Sequence, residues 1–210
     1  ADLRFSTEFV SYEQRDDRVL VAIEGPDGRE TIEASYLIGA DGGRSTVRKQ
    51  MGVAFEGFTW PERYLVASTT YDLTRHGFAM NAYIADPVEW AAVFKVPHDG
   101  PPGLWRVVFP IQPEISDEQA LDLPFVREKL GGFLAELADV DIPYHSIYRV
   151  HQRVAKTFRD DRVLLMGDAA HANNPLGGMG LNSAVHDAIN LADKLGTIWS
   201  GEGDADALLE

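Results

Sequence analysis

The sequence predicts an α/β protein: a doubly wound, Rossmann-like domain present in part, with a mixed-sheet α+β domain inserted into it. Two apolar runs carry the first half of that statement. Tyr36-Leu37-Ile38-Gly39-Ala40 ends in Asp41-Gly42-Gly43, and the strand-like residues 162–166 end in Gly167-Asp168. Each run is followed by helical sequence, as when buried strands of a parallel sheet feed tight loops. The third observation is the stretch between them. Over residues 58–150 several strand-like pieces are separated by Pro, Gly and Asp, with one amphipathic helix among them, the mark of a sheet-rich insertion.

The elements follow in order. Residues 3–10 and 19–24 are rich in β-formers, and Gly25-Pro26-Asp27-Gly28 is turn chemistry ahead of a further strand at 31–34, so the start reads as an antiparallel meander. Residues 45–51 read as a short helix capped by Ser45. In the insertion, strands are expected at 64–70, 79–84, 90–96 and 105–111. A helix is expected at 125–137, striped by Phe125, Leu130, Phe133, Leu134 and Leu137. A long helix at 181–200 carries Val185, Ile189, Ala192, Leu195 and Trp199 on one face, with Gly201 as its C-terminal cap. The expected division is 1–57 and 151–201 for the first domain, 58–150 for the insertion, and 202–210 for an acidic linker. The chain opens on Ala1 in strand-like sequence and closes just after a small-residue acidic stretch, so both ends read as cuts through a longer protein.

Composition narrows the classes of function. At 210 residues with 45% hydrophobic residues the chain is long enough to bury a core. A formal charge of −14 argues against nonspecific nucleic-acid or anionic-membrane binding. The absence of cysteine removes disulfides, thiolate metal sites and catalytic thiols. No apolar run reaches membrane-spanning length, and a cytoplasmic protein is expected. No His or carboxylate cluster has metal-ligand spacing.

The chemistry concentrates in Gly167-Asp168-Ala169-Ala170-His171 and Pro175-Leu176-Gly177-Gly178-Met179-Gly180-Leu181-Asn182. A strand ends in Gly-Asp, a loop holding a proline and several glycines follows, and a long helix begins. Glycine at this density lets backbone approach a ligand closely, and the helix start offers free N–H groups to partial negative charge. A carboxylate at the carboxyl end of such a strand suits a ribose hydroxyl, which needs an acceptor.

These residues resemble the second FAD fingerprint of the aromatic hydroxylase flavoproteins, the family of p-hydroxybenzoate and phenol hydroxylases. Residues 37–48, with Asp41-Gly42 and Ser45-Thr46-Val47-Arg48, resemble the family's Asp-Gly signature. The resemblance implies an FAD/NAD(P)-binding α/β domain. In it Asp168 binds the FAD ribose, Pro175 lies against the flavin, and Leu181 and Asn182 meet the pyrimidine edge of the ring. Gly167, Gly177, Gly178 and Gly180 shape that loop. Asp41 and Gly42 act near the ribose–pyrophosphate, while Arg48 ties its loop down or meets phosphate. The implied activity is hydroxylation of a small aromatic or polycyclic substrate by O2 through a flavin C4a-hydroperoxide. NADH or NADPH donates the electrons. The family's first signature, Gly-x-Gly-x-x-Gly after an N-terminal strand, is not among these residues. Asn173, Asn174 and Met179 depart from the commoner choices in the second loop.

Blander readings stand beside these. Asp168 alone would serve as a turn cap, Asp41-Gly42-Gly43 alone as a turn, and Arg44 and Arg48 as surface charges. His171 reads as a structural histidine. His76, Tyr83, Tyr144 and His145 lie in the insertion, where a substrate could sit, but read first as satisfied core or surface residues. No protein acid or base is named by the sequence, and nothing in it reports oligomeric state. A halogenase or reductase on the same scaffold, or a non-catalytic fragment, are the alternative functions.

Overall fold

The computed structural model describes residues 1–87, 90–100, 103–175 and 178–210. Along the chain, β1 (Glu8–Gln14), β2 (Val19–Gly25) and β3 (Gly28–Ala34) precede β4 (Leu37–Gly39), α1 (Thr46–Gln50) and the long β5 (Phe55–Thr69). There follow β6 (Asn81–Ile84), β7 (Ala91–Val96), β8 (Leu104–Ile111), α2 (Asp117–Ala120), α3 (Leu123–Phe133) and β9 (Tyr144–Ala155). The chain finishes with β10 (Arg159–Asp160), β11 (Val163–Leu165), β12 (His171–Ala172), α4 (Met179–Trp199) and α5 (Ala205–Leu209). It divides into two compact units, Ala1–Thr59 with His151–Glu210, and Trp60–Val150.

In the first unit β1-β2-β3 is the expected antiparallel meander, turned at Gly25↔Gly28. Its first strand begins at Glu8, later than the sequence suggests, with Glu8 facing Glu24 one residue before β2 ends at its turn. Leu3 and Phe5 are consequently exposed. The α/β part is the parallel pair β11 and β4, with Val163 opposite Leu37 and Leu165 opposite Gly39. Gly39 is needed for closeness: a Cβ there would lie 2.9 Å from Val47 and 3.0 Å from Leu165. The core gathers Val19, Val21, Val47, Val163, Leu165, Ala169 and Ala170. β12 pairs with the end of β9, His171 opposite Val154.

The second unit is the sheet β9-β5-β8-β7-β6. One face buries Leu65, Val93, Trp105, Val107 and Phe109 with Val126, Leu130 and Leu137. Period-two alternation puts Tyr64, Ala92, Val108 and Val150 on the other face. α2 starts with a complete capping box between Ser116 and Gln119. α3 stops at Phe133, short of the expected 137. Gly131-Gly132 weakens its last turn, Leu134 is extended at φ −152°, and Ala135–Leu137 forms a 3-10 turn. β9 gives no apolar run in the sequence because His145, Arg149, His151, Gln152 and Arg153 interrupt it at exposed and half-buried positions.

α4 departs most from expectation. Its stripe of Val185, Ile189 and Trp199 is open, at 48%, 57% and 83% exposure. The partly covered side instead carries Ala184, Asp187, Ala188, Leu191 and Lys194. Small residues win that side because Gly167 comes close: a Cβ on it would lie 3.2 Å from Ala184. Gly201 follows the last helical turn at φ +75°. The acidic stretch expected to be a linker folds as α5, capped by Asp204 and anchored by the buried Leu209. Among the described residues no helix is long and apolar enough to cross a membrane.

Candidate functional site

Both Gly/Asp loops lie in the first unit, and one arginine joins them. Ser45, fully buried, caps α1 by accepting from the Arg48 amide at 2.9 Å. That fixes the helix so that the Arg48 side chain enters the interior, where it is 5% exposed. Its guanidinium donates to Gly43 O at 2.8 Å on the first loop and to Ala169 O at 2.6 Å on the second. It also lies over the Phe55 ring, 3.8 Å from the centroid. Burial pushes its pKa down, and Asp41 partly restores it. Of the roles open in the sequence, these bonds are those of a loop tie, and Arg48 is no surface charge. Arg44 is exposed.

Asp41 is also tied to this corner. Its Oδ2 accepts from the Thr46 amide at 2.6 Å and the Val47 amide at 3.1 Å. Burial on its own would raise the Asp41 carboxyl. The Ser45 hydroxyl and the Val47 and Thr46 amides outweigh it and hold the carboxyl below its usual range. A depressed folded pKa adds stability that is complete above the unfolded value, about 3.9, and is lost as pH falls through the folded value. Asp41→Asn is therefore expected to destabilise the chain near about pH 6, with a deficit that shrinks as pH falls to about 3. Urea midpoints at both pH values check this, and a deficit undiminished in acid would contradict it. Gly42, at φ +79°, makes the turn, and its carbonyl accepts from the Ser45 amide.

The second loop is organised by a residue the sequence reading passed over. Asp187, on the covered side of α4, accepts through one oxygen from the Gly167 amide at 2.9 Å and pairs with His171 Nε2 at 2.8 Å. His171 is thus structural, as the blander reading had it. The available signal was the polar break that Asp187 makes beside Ala184 and Ala188, sixteen residues beyond the histidine. It is hidden when Val185 and Ile189 are taken as the inward stripe. Asp187→Leu is expected to cost about 1–3 kcal/mol by orphaning the Gly167 amide. Asp187→Asn, which keeps an acceptor, should recover more than half of that in urea unfolding. Equal losses would sink the assignment.

With the loop fixed, Asp168 lies in the turn Gly167–Ala169, exposed and without a side-chain hydrogen bond among the described residues. Gly167 itself takes φ +59°, a conformation that favours glycine. Pro175 is exposed, and its carbonyl accepts from the Gly178 amide at 3.0 Å. Gly177 lies outside the described residues. Gly178 stands at the N-cap of α4 with φ +62° and contributes no side-chain cap. The first-turn amides, Gly180 and Leu181 among them, therefore receive no side-chain cap from that residue. Leu181 is 78% exposed, and Asn182 Nδ2 bonds back to Gly178 O at 3.0 Å.

The insertion residues behave as satisfied or surface groups. Tyr71 OH pairs with His76 Nε2 at 2.8 Å, and His145 Nε2 meets Leu121 O at 3.1 Å. Tyr83 and Tyr144 are exposed. Among the described residues no group of His and carboxylates is placed to hold a metal.

This donor set fits a flavin dinucleotide. A free carboxylate accepts from hydroxyls, and an uncapped helix start receives a negative ring edge. The comparisons agree. The chain is 38% identical over 197 residues to the para-nitrophenol 4-monooxygenase of Pseudomonas sp. (strain WBC-3), spanning 92% of this chain and 48% of that protein. It is 40% identical over 195 residues to the 3-(3-hydroxy-phenyl)propionate/3-hydroxycinnamic acid hydroxylase of Mycolicibacterium smegmatis, spanning 92% of this chain and 33% of that one. The crystal structure of p-nitrophenol 4-monooxygenase PnpA from Pseudomonas putida DLL-E4 superposes with a TM-score of 0.81 at 37% identity. That match covers 97% of this chain and 51% of the other. The chain thus spans about half the length or less of the curated relatives it matches. The FAD binding domain family matches residues 1–210, and with two Gly/Asp loops joined through Arg48 this chain belongs to that family.

Proposed function

We propose that this chain carries the flavin-ring half of the cofactor site, and the substrate-bearing unit, of an FAD-dependent monooxygenase. The reaction is hydroxylation of an aromatic ring at the expense of NADH or NADPH and O2, in the cytoplasm. The observation that carries the reading is the exposed Asp168 carboxylate, without a hydrogen bond among the described residues, in the turn tied by Arg48 and Asp187 ahead of α4, whose N-cap Gly178 brings no side chain. The hydroxylase names of the relatives support the reaction class.

In this reading FAD, when bound, supplies the redox chemistry. The chain's own groups bind and orient. Asp168 accepts from ribose hydroxyls. The α4 amides at Gly180, Leu181 and Asn182 lower the free energy of negative charge at the pyrimidine edge, and Pro175 packs against the ring with Gly178 leaving it room. Asp41 and Gly42 set the turn nearest the ribose–pyrophosphate. Arg48 acts on both loops without meeting the cofactor. The unit Trp60–Val150 presents the substrate.

The test uses the protein as its host makes it. NAD(P)H oxidation and O2 uptake are expected to rise when phenols are added, with hydroxylated product by mass spectrometry. Bound FAD with halogenated product from chloride, or turnover that proceeds without O2, would replace this reading. Failure to hold any flavin would remove its basis.

A further inference from the structure

We propose that His171 is a positioning residue whose charge sets the grip on the Asp168 turn, so that flavin is held more tightly when the imidazole is protonated. This rests on the reading of that turn as part of the flavin site and adds its regulation by protons.

One carboxylate oxygen pins both ends of the turn. Asp187 Oδ2 accepts from the Gly167 amide at 2.9 Å, where the turn begins, and pairs with His171 Nε2 at 2.8 Å, where the turn passes into β12. Asp168 lies between those two points. An ionised carboxylate only accepts, so the second contact requires a hydrogen on Nε2. Nδ1 is then the atom that gains or loses a proton, and the contact with Asp187 exists in both states. Its strength differs between them. The neutral ring gives a hydrogen bond to a charged acceptor, whereas the imidazolium adds an opposite charge. The two side chains are only 16% and 27% exposed, so water screens that attraction incompletely.

The surrounding bonds carry the difference to Asp168. Ala170 O accepts from the Ala155 amide at 2.7 Å, and His171 stands opposite Val154, so the back of the turn is fixed to β9. Arg48 holds its middle at Ala169 O. The fastening to α4, whose start takes the flavin in the proposed function, is the Asp187 oxygen. Other charges near the imidazole are Arg153 on β9 and Glu56 on β5, which line one open cavity with it, and Asp168 in the turn itself. Behind Asp187 a second cleft holds Lys194, Glu210 and Arg159, the last paired with Asp206. Among the described residues only Asp187 bonds the ring. Protonation and a fastened turn favour each other, so the grip is complete while the imidazole is charged and weakens as pH rises through its titration.

The experiment titrates the 210-residue chain with FAD, by flavin fluorescence, at about pH 5.5 and about pH 8.5, on either side of the usual histidine range. Wild type is expected to bind about fivefold more weakly at the higher pH. His171→Gln places an amide nitrogen near the position of Nε2 and keeps a donor without the charge. Its affinity should be the same at both pH values and match wild type at the higher one. His171→Leu removes the donor and should bind more weakly than either at both. In the flavin-free wild-type chain, imidazole nitrogen resonances should show hydrogen on Nε2 throughout, with Nδ1 titrating. Amide exchange at Asp168 and Ala169, corrected for its intrinsic pH dependence, should slow as the ring becomes charged. Flavin affinity independent of pH in wild type, a pH step that persists in His171→Gln, or a neutral ring with its hydrogen on Nδ1 would each overturn the inference and leave the flavin reading standing. If no FAD binds at either pH, the flavin reading fails and exchange decides the rest. Protection of the turn that follows the His171 charge supports the grip, and protection indifferent to it overturns it.

Discussion

Replacing Arg48 by Met is expected to lower stability by about 3 kcal/mol, the largest single effect predicted for this chain. The guanidinium makes two charge-assisted bonds from a buried position, to Gly43 O and Ala169 O. Methionine refills most of the volume but leaves both carbonyls without their donor, and the cation–π contact with Phe55 goes too. Arg48→Lys should recover less than half, since one ammonium cannot span two carbonyls that the planar fork reaches together. Urea unfolding measures the loss. Amide exchange at Val163, Leu164 and Leu165 localises it, because this parallel strand leads directly into the second loop. A loss below about 1 kcal/mol would mean that Arg48 is no tie. The functional corollary is that flavin affinity should fall together with stability, since both loops lose their common anchor.

Asp168→Ala separates binding from folding. The carboxylate is exposed and carries no hydrogen bond among the described residues, so urea midpoints should match wild type. Flavin affinity is expected to fall about 10- to 100-fold, the effect of one charge-assisted hydrogen bond to a hydroxyl. Asp168→Asn, which keeps a carbonyl acceptor without charge, should fall between the two. Flavin fluorescence titration reads all three proteins. An affinity unchanged in Asp168→Ala would remove Asp168 from the site and leave the proposed function resting on the helix start. The Arg48 and Asp168 variants are diagnostic as a pair: one loses flavin because the loops move, the other because a contact is gone.

Several parts of this molecule were legible because their physics is local. The Asp41 and Asp168 loops were found from apolar runs ending in glycine and aspartate, and the cap at Ser45 from its position ahead of a short helix. The Gly25–Gly28 turn and the Gly201 stop follow from backbone conformations that few residues adopt. The resemblance to the flavoprotein family rested on these same strings, which is why it survived comparison with whole chains.

Other features needed the fold. Asp187 bonds Gly167 and His171 across a gap of sixteen to twenty residues, and the polar break it makes beside Ala184 and Ala188 does not name those partners. The apolar stripe Val185, Ile189 and Trp199 has helical spacing, yet it faces outward because the glycine loop demands small partners on the opposite side. β9 was hidden by its own polar residues, whose partners are distant in sequence: Arg153 reaches Phe55 O and Thr59 on β5, and Arg149 reaches Asp117 at the start of α2. Arg48 read equally as a surface charge and as a loop tie. Its two carbonyl bonds show why: one reaches only five residues away, the other 121. The sequence by itself determined the cofactor family and the order of the elements, since turn chemistry, capping and apolar runs act within a few residues. Tertiary structure alone decided which groups are tied and which stay open, because those depend on what distant elements bring within hydrogen-bond reach.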